Sequence, residues 1–299
     1  MLATMRQLVL IANPFASAVT EERIEQVERT LGRVGQLETL LTARRGHATE
    51  LARDAASGAD AILVFSGDGG FNEVVNGLGP GAPPVGCIPG GGTSVFPRAL
   101  GLPRDPARAA EHLATAIEQG RTRTISVGRV NGRRFLFNAG LLFDAELVRR
   151  IEAQRSRDGR PGDVAFVATL TKLIAENRGR FDPVVEVEGM GRVAFLLVSN
   201  ADPHTYLGGK AVHIAPQARL EGGLDAVGPA SVRPPVIPRL VAYVLTGRGR
   251  PSSVRLLHDV DRIEARCDRP LPLQADGEDL GDVLEAVFES ERGAISVLA

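Results

Sequence analysis

Residues 61–70 read AILVFSGDGG, and this stretch decides the fold. Its first five residues are apolar without interruption, which predicts a strand buried on both faces. Three glycines follow among the four positions 67–70, and a short helical pattern begins near Asn72. An apolar strand that runs through a glycine turn into a helix is typical of a parallel α/β sheet, in which ligands bind at the carboxyl ends of the strands.

The alternation of strands and helices continues on both sides of this stretch. Strands are predicted at residues 8–12, 37–42 and 85–89. Helices are predicted after the N-cap residue Thr20 and at residues 47–57, 72–78, 94–100 and 106–119. The order βαβαβ with strands buried on both faces predicts a parallel sheet that is covered by helices.

The pattern changes after Arg121. Short alternating runs predict antiparallel strands at residues 124–129, 134–138, 184–188, 193–199, 211–214 and 224–227. Helices are predicted at 144–154 and 163–177, and the polar segment 155–162 predicts an exposed loop. We therefore expect two domains, with the second, strand-rich domain beginning at residue 122.

Bulk composition excludes several classes of protein. The chain has 299 residues, 43% of them hydrophobic and 24% charged, which is typical of a globular protein and excludes a disordered one. A net charge of −1 gives no field that would attract nucleic acid. The two cysteines are far apart and are predicted to be buried thiols. No run is long enough for a signal peptide or a membrane span, so the expected location is the cytoplasm.

Three small-residue loops are expected at one edge of the predicted sheet. They follow the first, third and fourth predicted strands, at residues 13–17, 66–70 and 89–94. Glycines let backbone N–H groups approach an anion, and the helix that follows adds the positive end of its dipole, so the loops predict phosphate binding. Neither glycine loop reads GxxxxGKS/T or GxGxxG, which argues against a P-loop or a dinucleotide site. A turn without a ligand is the alternative, and Asp68 suits Mg²⁺ or a hydrogen-bond network better than direct phosphate contact.

The sequence GDGGFNEVVNGL at residues 67–78 is similar to the GGDGT-x-NEV-x-NG signature of the diacylglycerol kinase catalytic-domain family, which includes bacterial lipid kinases and sphingosine kinases. Other segments resemble further elements of that family in the same order. They are Asn13-Pro14, Thr42 with His47-Ala48, residues 89–103, Phe137 to Gly140 with Phe143 to Ala145, residues 220–225 and residues 274–278.

The resemblance implies a two-domain lipid kinase. An N-terminal α/β domain of residues 1–121, similar to NAD kinases and phosphofructokinases, would hold ATP, and residues 290–299 would return to it. A C-terminal β-sandwich domain of residues 122–289 would serve the lipid acceptor. Carried over to this chain, the ATP-contacting residues are Asn13, Pro14, Phe15, Ala16, Ser17, Thr42, Gly67, Asp68, Gly69, Gly70, Phe71, Asn72, Glu73, Gly92 and Thr93.

The resemblance also implies a catalytic acid pair and a structural metal. Asp276 and Glu278 would form the acid pair, because a lipid hydroxyl that attacks the γ-phosphoryl group needs a carboxylate to take its proton, with Mg²⁺ to offset phosphate charge. An exposed hairpin turn is the alternative at these residues. Ala218, Glu221 and Gly223 would hold a structural Mg²⁺, and an ordinary turn is the alternative there.

The chain departs from the family pattern at four positions. Gly70 and Gly92 replace threonines, and Ser94 and Val95 replace Asn-Asp. These changes put ATP affinity in doubt, although Thr93 and Ser94 could substitute in part. The leading hypothesis is an ATP-dependent kinase of diacylglycerol or a related lipid. The alternatives are a kinase of the same superfamily with another acceptor, and a catalytically impaired nucleotide- or lipid-binding protein.

The expected partners follow from these hypotheses. They are ATP with Mg²⁺, a diacylglycerol-like lipid and, transiently, the inner membrane face, in a role in phospholipid biosynthesis. A homodimer is left open, and no nucleic acid is expected. A cluster of arginines suits anionic lipid, with a solvated helix end and loop as the alternative; its members are Arg149, Arg150, Arg155, Arg157 and Arg160.

Overall fold

The computed structural model describes residues 6–154, 162–207 and 209–299. Its contacts divide the chain into two compact units. The first unit contains the residues up to Ser126 together with Gly293–Ala299, and the second unit is Val127–Arg292. The boundary falls after Ser126, whereas the sequence places it at residue 122. The predicted loop residues Arg155, Arg157 and Arg160 lie outside the described residues.

A parallel sheet with helices forms the first unit. Its strands run in the order β2-β1-β3-β4, and Val297 near the chain end pairs in parallel with Val85 of β4. The elements are β1 Gln7–Ala12, α1 Glu21–Leu31, β2 Gln36–Leu41, α2 His47–Ala55, β3 Ala61–Ser66, α3 Asp68–Gly77, β4 Val85–Pro89, α4 Val95–Ala99 and α5 Pro106–Gln119. The predicted order of strands and helices is confirmed.

Burial and capping explain why these segments form. All six residues of β3 are buried, as expected for a central strand with both faces covered. Each large aliphatic side chain buried in this way contributes about 1.5–3 kcal/mol. Thr20 caps α1, since its hydroxyl accepts a hydrogen bond from Arg23 N at 3.3 Å. Asp105 caps α5 in the same way, and Gly120 ends that helix in the left-handed region at φ 64°.

The second unit is rich in strands. Its elements, the first and last of which extend into the first unit, are β5 Thr122–Val130, β6 Arg133–Phe135, β7 Asn138–Leu141, α6 Phe143–Ala153, α7 Asp163–Glu176, β8 Val185–Val187, β9 Gly191–Val193, β10 Leu196–Ser199, β11 Thr205–Leu207, β12 Lys210–Val212, β13 Leu224–Pro229, α8 Ile237–Thr246, β14 Val254–Val260, β15 Arg262–Ala275 and β16 Glu278–Leu298. Together with the parallel sheet of the first unit, this strand-rich region confirms the predicted fold class.

One long strand organises the second unit. β15 pairs with β8 through Ala265–Cys267 and with β7 through Leu273–Ala275, and it pairs with β16 along its length. Its register against β16 shifts between Arg266 and Leu271. A strand that changes neighbours at such a shift turns a corner between sheet layers. The largely apolar core of this unit contains buried residues from both ends of β15, among them Ile263 and Leu273.

Both cysteines are free thiols, but they differ in burial. Burial raises the pKa of the Cys87 thiol far above its ordinary value, with a smaller effect from the charge of Asp68. Partial burial raises the pKa of Cys267 to about 11. β15 is half-exposed at Cys267, so this thiol is only partly buried. The prediction that both cysteines are buried thiols is therefore wrong for Cys267.

The junction between β3 and α3 corrects the sequence prediction. The helix begins at Asp68 rather than near Asn72, so residues 68–70 form its first turn and Gly67 is the N-cap. A Cβ atom added to Gly70 would lie 2.1 Å from Ser66 Oγ and 2.5 Å from Ser66 Cβ. The Ser66 side chain thus fills the space that a side chain at residue 70 would need.

We predict that Gly70→Thr destabilises the protein and that Ser66→Gly relieves the effect. The threonine overpacks the junction, which lowers the free energy of unfolding by about 1–3 kcal/mol, and removing the Ser66 side chain restores most of it. Urea unfolding of the two single variants and the double variant measures this coupling. Gly69→Ala is the matched control, because a Cβ there meets nothing within 4 Å. Equal destabilisation of the single and double Gly70→Thr variants would contradict the steric explanation.

Candidate functional site

The three predicted loops at the carboxyl edge of the parallel sheet contact one another. Gly90 N donates to Ser66 O at 2.7 Å, and Ala18 N donates to Gly90 O at 2.8 Å. The loops after β3 and β4 approach so closely that a Cβ on Gly91 would lie 3.0 Å from the Cα of Gly67. Glycine is therefore needed at residue 91 for this approach. The segments after β1, β3 and β4 form one continuous surface.

Asp68 holds the two glycine loops together. Its carboxylate oxygens accept hydrogen bonds from Val95 N and Phe96 N, both at 2.9 Å. A carboxylate in this position caps the N-terminus of α4 and interacts favourably with the helix dipole. Of the two roles left open for Asp68, Mg²⁺ or a hydrogen-bond network, the structure shows the network.

Glu73 acts on a neighbouring helix in the same way. Its carboxylate accepts from Gly46 N at 2.9 Å and Ala48 N at 3.2 Å, and Thr49 Oγ1 donates to its backbone carbonyl at 2.8 Å. Glu73 therefore caps α2 and fixes it against α3. Both of its carboxylate oxygens are thus engaged by backbone donors of α2 and the residue before it. The expected contact of Glu73 with ATP stays a prediction.

The other residues expected at the ATP site divide by exposure. Phe71, Asn72 and Thr42 are buried, and the Asn72 amide oxygen accepts from Asn76 Nδ2 at 3.0 Å. Asn13 Oδ1 accepts from Phe15 N at 3.0 Å, which shapes the first loop. The exposed or partly exposed members are Asn13, Pro14, Phe15, Ala16, Ser17, Gly67, Asp68, Gly69, Gly70, Gly92 and Thr93. Gly69, in the first turn of α3, is exposed and has free space around it.

The first turn of α3 has the chemistry of an anion site. The first N–H groups of a helix have no acceptor within the helix, and the dipole places about half a positive charge there. The N-terminus of α4 already receives the Asp68 carboxylate, whereas α3 begins at the exposed glycine turn. A phosphate group at this position would interact favourably with the dipole.

Asp276 and Gly277 form the two-residue turn between β15 and β16. Their φ angles are 49° and 79°, the left-handed values of a type I′ hairpin turn. The turn is not an isolated, exposed one. The Asp276 carboxylate accepts hydrogen bonds from three consecutive backbone N–H groups at 2.6, 3.0 and 3.1 Å, those of Leu136, Phe137 and Asn138.

Glu278 forms an ion pair with Arg133. Arg149 pairs with Asp279 at 2.7 Å and with Asp282 at 2.6 Å, and these bonds raise the pKa of its guanidinium. The sequence predicts Arg149 as a member of a basic cluster. In the structure, its charge is neutralised by two aspartates of its own unit. Arg150 likewise pairs with Glu146 and Glu176. Arg149 and Arg150, the described members of the predicted basic cluster, are thus engaged in ion pairs. This is closer to the alternative reading, a solvated helix end, than to a patch that binds anionic lipid.

A buried polar network supports the hairpin turn, and the sequence did not predict it. Gln274 Nε2 donates to Asn138 Oδ1 at 2.9 Å and to Asp144 Oδ2 at 2.5 Å, while Gln274 Oε1 accepts from Gly277 N at 2.9 Å. His204 Nε2 lies 3.4 Å from Asp144 Oδ2. Apart from His204, the four residues of this network lie in segments that resemble family elements, but their spacing in the sequence does not reveal that they meet.

The expected metal residues surround a turn that already has a cation beside it. Glu221 is exposed, whereas Ala218 and Gly223 are buried. Gly223 N donates to Asp259 Oδ1 at 2.6 Å, and Arg292 Nη2 lies 2.9 Å from the same oxygen. The bond from Gly223 and the pairing with Arg292 lower the pKa of Asp259. Mg²⁺ binding here stays a prediction, and the guanidinium next to Gly223 does not favour it.

Sequence comparison shows what the N-terminal part of the chain is similar to. Residues 7–130 match the family model described as the diacylglycerol kinase catalytic domain. A diacylglycerol kinase of Bacillus subtilis (strain 168) is 38% identical over 141 residues, which are 46% of this chain and 46% of the relative. A diacylglycerol kinase of Staphylococcus epidermidis (strain ATCC 35984) is 39% identical over 98 residues, 32% of this chain and 30% of the relative. The matches thus span less than half the length of these curated relatives.

Structure comparison extends over both units. A crystal structure of a diacylglycerol kinase from Bacillus anthracis str. Sterne has a TM-score of 0.74 at 22% identity, covering 99% of this chain and 97% of the other. A second structure from that organism has a TM-score of 0.75 at 23% identity, covering 99% and 98%. These likenesses establish the fold. Residues 7–130 are thus similar to the diacylglycerol kinase catalytic domain, and both units have the fold of these solved structures.

Proposed function

We propose that this protein is an ATP-dependent lipid kinase that transfers the γ-phosphoryl group of ATP to the hydroxyl of diacylglycerol or a related lipid. The family of residues 7–130 and the names of the relatives support a kinase acting on such a lipid. The structural observation that carries the proposal is the first turn of α3, which opens at a glycine turn on the carboxyl edge of the parallel sheet.

The first unit would bind the phosphates of ATP through its backbone. The N–H groups and the dipole of α3 attract the negative charge, and the exposed Gly69 leaves room for close approach. Mg²⁺ bound together with ATP would supply further positive charge to the transferred group. Asp68 would position this surface by holding α4 against it, through the bonds to Val95 N and Phe96 N.

Two of the departures from the family pattern do not argue against ATP binding. Val95 is buried, and its backbone N–H rather than its side chain takes part in the hydrogen bonds of Asp68. Gly70 lies against Ser66, whose hydroxyl occupies the space of a residue-70 side chain. These observations favour an active kinase over the catalytically impaired alternative.

Asp276 would act as the general base. Its carboxylate is held by the three backbone N–H groups of residues 136–138, and a carboxylate in a fixed position can accept the proton of the lipid hydroxyl. The same bonds fix the orientation of the carboxylate, which lowers the entropy lost on reaching the transition state. Glu278, held by Arg133, would act as the second acid of the pair.

A kinase of the same superfamily with another acceptor would use the same α3 anion site. The relatives' names favour diacylglycerol. A panel of lipid and soluble acceptors, assayed with labelled ATP, separates the two: transfer to diacylglycerol supports the lipid kinase, whereas transfer only to a soluble acceptor supports the alternative.

We predict that Asp276→Asn abolishes most of the transfer. Loss of a general base lowers kcat by about 10²–10⁴-fold, while the affinity for ATP changes little because that site is in the first unit. The assay measures transfer of labelled γ-phosphate from ATP to diacylglycerol. Asp282→Asn is the matched control, since it neutralises a half-exposed aspartate of the same hairpin that pairs with Arg149. Transfer that survives Asp276→Asn at the native rate would exclude Asp276 as the base.

We predict that Gly69→Asp weakens ATP binding more than about tenfold, because the new carboxylate occupies the positive end of α3 and repels phosphate. Gly69→Ala tests the effect of size alone. Gly79→Asp adds the same charge at another exposed glycine with free space. Isothermal titration with ATP measures all three variants. Equal losses for Gly69→Asp and Gly79→Asp would show that the effect is general charge and would contradict binding at α3.

A further inference from the structure

Helix α8 has two apolar faces, and only one of them is covered within its unit. Ile237, Leu240 and Val244 pack against a buried cluster of the second unit, and Tyr243 donates its hydroxyl to Ile214 O at 2.6 Å. These residues fix the helix firmly on that side. The spacing of three and four residues between them is that of one helical face.

The opposite face of α8 is also apolar but exposed. It consists of Pro238, Val241, Ala242 and Leu245, which recur at the same helical spacing. The Val241 and Leu245 side chains are 49% and 51% exposed. A face of this kind on a short helix marks a contact surface rather than a solvated one. The helix is too short to cross a bilayer, and the described residues contain no helix with the length and apolar character for that.

The charge around α8 has one sign. Residues 231–250 contain four arginines and neither aspartate nor glutamate. Two of these arginines have partners: Arg233 pairs with Asp182 at 2.6 Å, and Arg250 donates to the carbonyl of Val254. Arg239, on the helix, and Arg248, just beyond its end, are exposed, and the described part of the chain offers neither an acidic partner.

The combination of an exposed apolar face and exposed arginines distinguishes α8 from α7, which also exposes apolar residues. Helix α7 exposes Val164 and Val167, at 85% and 43%, but its exposed charged residues are of both signs, namely Asp163, Lys172 and Glu176. Acidic residues would repel an anionic lipid surface. At α8, arginines flank the apolar stripe, and long arginine side chains can reach phosphate groups while the apolar residues enter the layer beneath.

We propose that the exposed face of α8 docks the protein on an anionic phospholipid membrane. Pro238, Val241, Ala242 and Leu245 insert at the boundary between headgroups and acyl chains, and Arg239 and Arg248 bind the lipid phosphates. The inference rests on the proposed lipid kinase function, because a diacylglycerol acceptor lies in a membrane that the enzyme must reach.

Sedimentation of the full chain with vesicles tests this docking surface without ATP. On vesicles of phosphatidylcholine mixed with phosphatidylglycerol, Val241→Ser/Leu245→Ser is expected to lower the partition coefficient about tenfold. Arg239→Gln/Arg248→Gln is expected to lower it by a similar factor on these vesicles and to have little effect on pure phosphatidylcholine. Val164→Ser/Val167→Ser on α7 is the matched control and should leave binding unchanged.

A second readout separates this inference from the proposed function. The α8 variants should keep native activity on a short-chain, water-soluble diacylglycerol and lose it on vesicles. Vesicle binding that depends on α8 but without phosphoryl transfer would leave the docking surface standing and remove the kinase proposal. Native vesicle binding by both α8 variants would overturn the docking proposal. A second copy of the chain is the other partner that could cover this face, and sedimentation equilibrium tests for it. If the native protein is a dimer, and Val241→Ser/Leu245→Ser dissociates it while vesicle binding is unchanged, the face is a subunit interface.

Discussion

The hydrogen bonds from Val95 N and Phe96 N to the Asp68 carboxylate are the interaction on which the candidate phosphate site depends. They fix the second glycine loop and α4 against the first turn of α3. Because Asp68 is itself in that first turn, one side chain sets the relative position of two loops from successive strands. The close approach of Gly67 and Gly91 follows from this, and it leaves the anion-binding end of α3 at the sheet edge.

The same arrangement recurs at two other acidic residues that the sequence singled out. Glu73 accepts from the N-terminus of α2, and Asp276 accepts from three backbone N–H groups of residues 136–138. Each carboxylate links segments that are far apart in the chain. A buried donor left without its acceptor would cost about 1–3 kcal/mol, so these acids stabilise the fold as well as orienting the groups proposed for chemistry. At Asp276, the two roles coincide in one side chain.

Local patterns predicted the first half of the fold well, because continuous apolar strands and capped helices carry their own signals. Helix α5 begins and ends where the sequence placed it, since Asp105 and Gly120 mark its two ends. The predicted start of α3 was wrong by four residues, because glycines have low helix propensity and no side chain at the N-cap marks the beginning of this helix. The long strands β15 and β16 were largely missed, since charged residues alternate along their half-exposed surfaces. The partners of Asp276 lie about 140 positions away, beyond the reach of any local pattern.

The most direct test of the central claim is a crystal structure of the protein with a non-hydrolysable ATP analogue and Mg²⁺. The account predicts phosphate density within hydrogen-bonding distance of the backbone N–H groups in the first turn of α3, beside Gly69, with the Asp68 bonds to α4 intact. Phosphates bound elsewhere, with the first turn of α3 empty, would contradict it.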